Sequence, residues 1–211
     1  MNSLLKLLEE PPKKSNIFLI DHQLSFIPST ITSRCKTFLL KPLDNKETLN
    51  VFTKLSNFNT KDNLEFFVDI SSGRPGLGLE YIDVKADSMY EIICNYFVDV
   101  CKRFDSNIIK FINILDSRKR NESLKIFCNL LQYFFLKVLY LKIGKKVSYF
   151  LKNEENAIIK LNNNISVNVL FDILDYLKNI INDFQNFSLN AENIVISICI
   201  KINSMVFRNN E

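Results

Sequence analysis

Two hydrophobic patterns alternate in the first forty residues. Leucines at positions 4, 5, 7 and 8 form one face of a short helix, which a pair of prolines ends. Apolar runs bounded by polar residues at 16–21 and 35–40 predict two buried strands. Between them, the sequence predicts a second short helix over 28–34, with a proline near its first turn.

This order of helix, strand, helix and strand is typical of an α/β layer. Two strands and two helices cannot bury a sheet on both faces, so the segment cannot be a complete α/β domain. We therefore expect it either to pack on the rest of the chain or to belong to a larger domain that was cut off before Met1.

From Asp44 onwards the apolar positions follow the helical period. Residues 44–47 resemble a capping box, and they open the first of three predicted short helices. The other two are marked by apolar residues between 64 and 70 and by residues 76–82, and 84–88 is the predicted joint behind them. Longer amphipathic helices are predicted over 88–103, 106–116, 120–142, 165–183 and 190–207, with a polar loop at 162–164.

Composition excludes several classes of protein. The chain has 211 residues, of which 47% are hydrophobic, and a net charge of +4, which excludes intrinsic disorder. One histidine and five cysteines without a C-x-x-C pair do not support a metal site, so no metal is expected. Four lysines interrupt the most apolar stretch, 127–151, which argues against a membrane-spanning helix.

The most specific motif is Ser33-Arg34-Cys35, between the second short helix and the second predicted strand. It follows NSLLKLLEEPP at 2–12, NIFLI at 16–20 and the pairs Ile27-Pro28 and Thr30-Ile31. Together these residues resemble the end of the AAA+ domain of bacterial DNA polymerase III clamp-loader subunits.

Within that family, the resemblance favours the delta-prime type over the gamma/tau ATPase. Residues 72–79, SGRPGLGL, resemble the delta-prime version of the last lid helix, where ATPase relatives usually carry a sensor arginine at the position of Gly76. Residues 187–193 resemble the last collar helix of delta-prime proteins. The resemblance implies a mainly α chain, with three parts. They are a partial α/β AAA+ remnant at 1–42, a three-helix lid at 43–83 and a helical collar, which mediates oligomerisation, at 88–211.

The resemblance also implies roles for individual residues. It makes Arg34 an arginine finger supplied in trans, which neutralises charge developing on the γ-phosphate in a neighbouring subunit. Without the motif, the same residue would be interpreted as a surface arginine in an ordinary ion pair. Ser33 and Cys35 are expected to shape the turn and pack the strand. His22 falls at a sensor-like position, although a solvated histidine at a strand end is the simpler interpretation.

Other elements of a nucleotide site are not found in the sequence. There is no G-x-x-x-x-G-K-[ST] loop and no acidic Walker B strand, so no nucleotide, cofactor or Mg²⁺ is expected to bind this chain. No catalytic activity is therefore expected from the chain alone. The resemblance makes it part of a DNA-directed DNA polymerase holoenzyme, a nucleotidyltransferase complex.

The resulting hypothesis is a cytoplasmic, N-terminally truncated, non-ATPase stator subunit of the clamp loader that acts in DNA replication. Its implied partners are the gamma/tau and delta subunits and, indirectly, the sliding clamp and primed DNA; no membrane partner is expected. A truncated gamma/tau-type ATPase subunit and a helical scaffold without a replication role remain alternatives. Two basic clusters, at 118–120 and 142–146, could contact DNA phosphates, although solvated loops explain them as well.

Overall fold

The computed structural model describes residues 2–21, 27–55, 63–98, 112, 120–183 and 191–207. Over these residues the fold is mainly α, as expected, and the chain divides into two compact units, Met1–Lys41 and Pro42–Glu211. The helices are α1 (Asn2–Glu9), α2 (Ser29–Thr32), α3 (Asn45–Leu55), α4 (Leu64–Ser71), α5 (Pro75–Asp83), α6 (Ala86–Val98), α7 (Arg120–Lys142), α8 (Glu154–Asn164), α9 (Val167–Asp183) and α10 (Ala191–Phe207).

The first unit contains both short helices that the sequence predicts, and α1 contacts α2. The two predicted strands, at 16–21 and 35–40, are not found: these segments lie among described residues that contain no β-strand. The physical reason is that a strand exists only through hydrogen bonds to a neighbouring strand, and this unit offers none in its described part. Apolar side chains are consequently left in solvent, with Phe18 86% and Leu40 90% exposed.

The second unit opens with the predicted capping box. The Asp44 amide donates to Glu47 Oε2 at 3.0 Å, and the Glu47 amide donates to Asp44 Oδ1 at 2.7 Å. Each side chain thus satisfies a backbone donor that the first turn of α3 leaves free. The following two helices, α4 and α5, also lie where the sequence predicts them.

A tight turn joins α4 to α5. Ser72 and Gly73 both have positive φ, at +49° and +73°. The Leu43 amide donates to the Gly73 carbonyl at 2.9 Å, so the chain entering α3 runs directly against this turn. A Cβ atom on Gly73 would lie 2.2 Å from the Leu43 carbonyl oxygen, which leaves room only for glycine.

The long helix α7 lies at the centre of the second unit and contacts α6, α8, α9 and α10. Aromatic rings form much of the contact: Phe97 of α6 stacks on Phe134 of α7, with ring centroids 4.8 Å apart. Phe66 of α4 contacts Tyr90 and Tyr133, and the same core also includes a buried residue from each of α3 and α5. Such ring pairs stabilise a core beyond the area that they bury.

Four of the five longer helices predicted by the sequence are found: those at 120–142, 165–183 and 190–207 are α7, α9 and α10, and the one at 88–103 is α6, whose described part runs from Ala86 to Val98. The helix predicted at 106–116 lies outside the described residues, apart from Ile112. The predicted polar loop at 162–164 is wrong, because those asparagines complete α8. The sequence does not predict α8, because most of its residues are polar. Ala157, Ile158 and Leu161 are nevertheless buried on one face of the helix.

By length and composition alone, Glu122–Lys142 of α7 could cross a membrane. However, 61% of its most apolar window is buried inside the protein. A central core helix meets the same criteria, so this feature is weak support for a membrane segment.

Candidate functional site

Arg34 is the second residue after the end of α2, in a turn that backbone hydrogen bonds stabilise. The amides of Ser33 and Arg34 donate to the carbonyls of Ser29 and Ile31, each at 3.0 Å. Ile31 of α2 is buried. The backbone at Arg34 therefore has a defined position even though α2 has only four residues.

The guanidinium of Arg34 has two partners in the first unit. Its NH1 donates to the Thr30 carbonyl at 2.8 Å, and its NH2 donates to Glu9 Oε1 at 2.6 Å. Both charged side chains remain accessible, with 39% of Arg34 and 50% of Glu9 exposed. The arginine is thus oriented by protein contacts and is still open to a further partner.

The other motif residues make local contacts. Ser33 is exposed, and its hydroxyl donates to the Thr30 carbonyl at 3.3 Å. Cys35 is a free thiol of intermediate burial. The predicted role of both residues, in shaping the turn and in packing, stays a prediction. His22 lies outside the described residues.

The sequence pattern does not identify Glu9 as the partner of Arg34. The two partners are 25 positions apart, and no local pattern connects them. The only available signal was a carboxylate at the end of a helix, where the helix dipole disfavours negative charge unless a cation offsets it.

A second polar cluster, also missed in the sequence, lies inside the second unit. Lys137 of α7 donates to Glu154 Oε1 of α8 at 2.6 Å, and their side chains are only 6% and 0% exposed. The Tyr90 hydroxyl donates to the same oxygen at 3.0 Å. Glu154 Oε2 accepts the backbone amides of Phe150 and Leu151, at 2.7 and 3.2 Å.

Lys137 is equally well satisfied. Its Nζ also donates to the Ser148 carbonyl at 2.8 Å and lies 4.5 Å and 4.7 Å from the ring centroids of Tyr133 and Phe150. Burial raises the pKa of Tyr90 well above its usual value, and the nearby Glu154 carboxylate raises it further, so this hydroxyl stays a donor. The cluster joins α6, α7, α8 and the connection 143–153, and it is closed to solvent.

The start of the chain matches a known family model. Residues 1–44 match the family model described as DNA polymerase III, delta subunit. Over 130 residues, the chain is 34% identical to DNA polymerase III subunit delta' of Buchnera aphidicola subsp. Schizaphis graminum, an alignment that covers 60% of this chain. The chain is similar to the delta' subunit of DNA polymerase III. The resemblance inferred from the sequence is thereby confirmed.

A second relative is DNA polymerase III subunit gamma of Buchnera aphidicola subsp. Baizongia pistaciae. It is 40% identical over 65 residues, or 31% of this chain. The alignments span 37% of the delta' relative and 17% of the gamma relative, so this chain matches well under half of either protein. Both relatives are subunits of DNA polymerase III.

Gly76 is the position at which the resemblance separates delta-prime from ATPase subunits. It lies in the first turn of α5, and nothing lies within 4 Å of where its Cβ would be. A side chain could therefore be accommodated there, and the glycine is not required by packing. The space around Gly76 would therefore not prevent an arginine from occupying this position.

The basic cluster at 142–146 is partly engaged within the protein. Lys142 donates to the Asn162 carbonyl at 2.5 Å, and Lys145 lies over the Tyr140 ring at 5.1 Å. These contacts favour a structural role over a phosphate site. The cluster at 118–120 lies outside the residues whose side chains are described.

Among the described residues, no group of three or more His, Cys, Asp or Glu side chains could hold a metal ion.

Proposed function

We propose that this chain is a delta-prime-type, non-ATPase subunit of the DNA polymerase III clamp loader. In this role it assembles with gamma/tau and delta subunits and offers Arg34 to the ATP site of the adjacent ATPase subunit. The observation that carries the proposal is the accessible, oriented Arg34 within the segment that matches the family model. The complex, rather than this chain, would load the sliding clamp on primed DNA in the cytoplasm.

The chemistry of Arg34 suits that role. A guanidinium has five N–H donors in a fixed plane and keeps its charge at all physiological pH values. Here one donor binds the Thr30 carbonyl and one binds Glu9, so the remaining donors can approach a phosphate. A cation that reaches across a subunit interface stabilises the negative charge of the γ-phosphoryl group in the transition state.

We propose a three-part division of the chain: an AAA+ remnant at 1–42, a lid at 43–83 and a collar at 88–211. The exposed apolar segments near Phe18 and Leu40 support the first part. In the assembled loader, 16–21 and 35–40 would pair as strands with an AAA+ sheet contributed by polypeptide outside this structure. Hydrogen exchange tests this: the amides of both segments should become protected on assembly, and unchanged exchange would contradict it.

Reconstitution of the loader tests the main proposal. The chain is mixed with purified gamma/tau and delta subunits, and assembly is measured by size-exclusion chromatography, followed by DNA-stimulated ATPase assays. Arg34→Ala should leave assembly intact and lower ATP turnover by about 10³-fold, the effect of losing an arginine finger. Arg74→Ala, an exposed arginine of the second unit, is the matched control. Failure to assemble, or unchanged turnover with Arg34→Ala, would contradict the proposal.

The gamma relative favours one alternative, an ATPase-type subunit. The two candidate functions predict that the chain replaces different subunits of the loader. In a reconstitution that omits either delta-prime or one gamma/tau subunit, a delta-prime-type chain restores only the loader that lacks delta-prime. Restoration of the loader that lacks gamma/tau would favour the alternative.

A further inference from the structure

The contact between Glu9 and Arg34 connects two parts of the first unit that are distant in sequence. Glu9 is the last residue of α1, and a proline pair two residues later prevents the helix from continuing. Arg34 follows α2. Since α1 and α2 are also in contact, the carboxylate and the guanidinium meet between two helix ends that are themselves held together.

The electrostatics of α1 do not explain a carboxylate at this position. The C-terminal end of a helix carries a partial negative charge, so an acid there is disfavoured by its own helix. The Arg34 cation offsets that cost. The contact is also specific, because Glu9 and the Thr30 carbonyl bind different nitrogens of the guanidinium, at 2.6 and 2.8 Å.

Two fixed contacts on one planar group restrict its rotation. An exposed arginine without such contacts samples many rotamers, and most of them would direct its charge away from a phosphate. With NH1 and NH2 each bound once, three of the five N–H groups remain for an incoming oxyanion. Orientation in advance of the reaction is the means by which a charged group stabilises a transition state efficiently.

We propose that Glu9 is a positioning residue for Arg34: it holds the guanidinium in the orientation that contacts the neighbouring subunit's nucleotide. This inference rests on the proposed function, since it needs Arg34 to act on a γ-phosphate. Glu9 itself touches neither nucleotide nor phosphate, and its carboxylate stays bound to Arg34 during turnover.

Kinetics of the reconstituted loader test the inference. Glu9→Ala should lower the DNA-stimulated kcat for ATP by about tenfold, less than loss of the finger itself, with KM unchanged. Glu9→Gln keeps an oxygen that accepts from NH2 and should restore kcat to within about twofold of the wild type. Glu10→Gln, at the exposed neighbouring carboxylate, is the matched control and should leave kcat unchanged.

Side-chain dynamics of the full chain alone provide a readout that needs no partner and no ATP. The ¹⁵N relaxation of Arg34 Nε should report a restrained side chain in the wild type and in Glu9→Gln, and a mobile one in Glu9→Ala. An Arg34 that is equally mobile in all three proteins would overturn the inference.

The outcomes separate this inference from the function on which it rests. If Arg34→Ala leaves ATP turnover unchanged, the proposed function fails and Glu9 has no finger to position. If Arg34→Ala lowers turnover but Glu9→Ala leaves it unchanged or raises it, only the inference fails; an increase would mean that Glu9 masks Arg34. A kcat loss with Glu9→Ala, rescue by Glu9→Gln and loss of Arg34 restraint together would support it.

Discussion

Arg34–Glu9 and Lys137–Glu154 are ion pairs with the same separation, 2.6 Å, in very different surroundings. The first lies in the N-terminal unit with 39% and 50% of its side chains exposed. The second lies in the helical unit with 6% and 0% exposed. Distance alone therefore says little about what an ion pair does; the partners around it and the access of water decide.

The buried pair is complete. Both Glu154 oxygens and the Lys137 ammonium bind several groups of the protein, which offsets the cost of removing the two charges from water. The exposed pair is incomplete, because most of its donors remain available to an outside anion. We infer that the buried Lys137–Glu154 pair specifies how the helices of the second unit pack, whereas the exposed pair in the first unit leaves Arg34 open to a partner.

The apolar side chains follow the same contrast. In the N-terminal unit, Phe18, Ile20 and Leu40 are each at least 86% exposed. In the helical unit, Phe66, Phe97 and Phe134 are at most 1% exposed. A unit that leaves its large apolar side chains in water needs a further surface to cover them, whereas the helical unit has a core of its own.

The largest effect is expected from breaking the buried pair. Lys137→Met should lower the free energy of unfolding by about 3–5 kcal/mol, because Glu154 would remain buried without its cation. Urea denaturation followed by circular dichroism measures the change. Lys146→Met, at an exposed lysine, is the control and should cost less than about 0.5 kcal/mol. A Lys137→Met protein as stable as the control would mean that the buried cluster does not hold the helices together.

The second-largest effect is expected in the rates at which cysteine thiols of the two units react. Burial raises the pKa of Cys128 and of Cys199 to about 12, whereas Cys35 in the N-terminal unit is partly accessible. In a Cys101→Ser background, iodoacetamide at pH 8 should modify Cys35 at least about a hundredfold faster than the buried thiols. Mass spectrometry of the intact protein and its peptides measures the rates. Equal rates would show that the helical core opens readily.

The same two thiols give a pH dependence of stability. Since their pKa is higher in the folded than in the unfolded state, the unfolded state loses its protons first as the pH rises. The stability they contribute is present below pH 9 and declines between pH 9 and about 12. Replacing both thiols with alanine should weaken this alkaline decline in unfolding experiments.

A smaller effect is expected within α5, where two glycines differ in surroundings. A Cβ at Gly78 would lie 2.3 Å from the Phe52 ring, whereas one at Gly76 would meet nothing within 4 Å. Gly78→Ala should therefore destabilise the helical unit by about 1–3 kcal/mol, and Gly76→Ala should stabilise it by about 0.5–1 kcal/mol. Thermal unfolding of the two variants measures the difference, and equal melting temperatures would contradict the packing described here.

The smallest effect on stability is expected at the exposed pair. Glu9→Gln should change the free energy of unfolding by less than about 1 kcal/mol, because exposed ion pairs are screened by water and salt. Parallel urea titrations with Lys137→Met reveal the contrast directly. A loss at Glu9 as large as that at Lys137 would remove the distinction between the two pairs.

Features set by residues close in sequence could be predicted from the sequence. The capping box of Asp44 and Glu47 and the long helices α7, α9 and α10 depend on local hydrogen bonds and on the helical period of apolar residues. The motif around Arg34 was likewise readable because its residues are contiguous.

Features that depend on distant partners could not be predicted. Strands are predicted at 16–21 and 35–40 but are not found, because a strand needs a neighbouring strand, which the local pattern cannot guarantee. Glu9 and Arg34 meet across 25 positions, and Lys137 meets Glu154 across 17, through packing that no local pattern encodes. Helix α8 was missed because its buried face carries few apolar residues and includes the charged Glu154.

The central claim is that Arg34 serves a partner rather than the stability of its own fold. Arg34→Ala tests it most directly when two quantities are measured on one preparation. They are the free energy of unfolding of the chain and the DNA-stimulated ATP turnover of the reconstituted loader. We predict an unfolding free energy within about 1 kcal/mol of the wild type, together with about a 10³-fold loss of ATP turnover. Wild-type turnover with the variant, or a large loss of stability without loss of turnover, would contradict the claim.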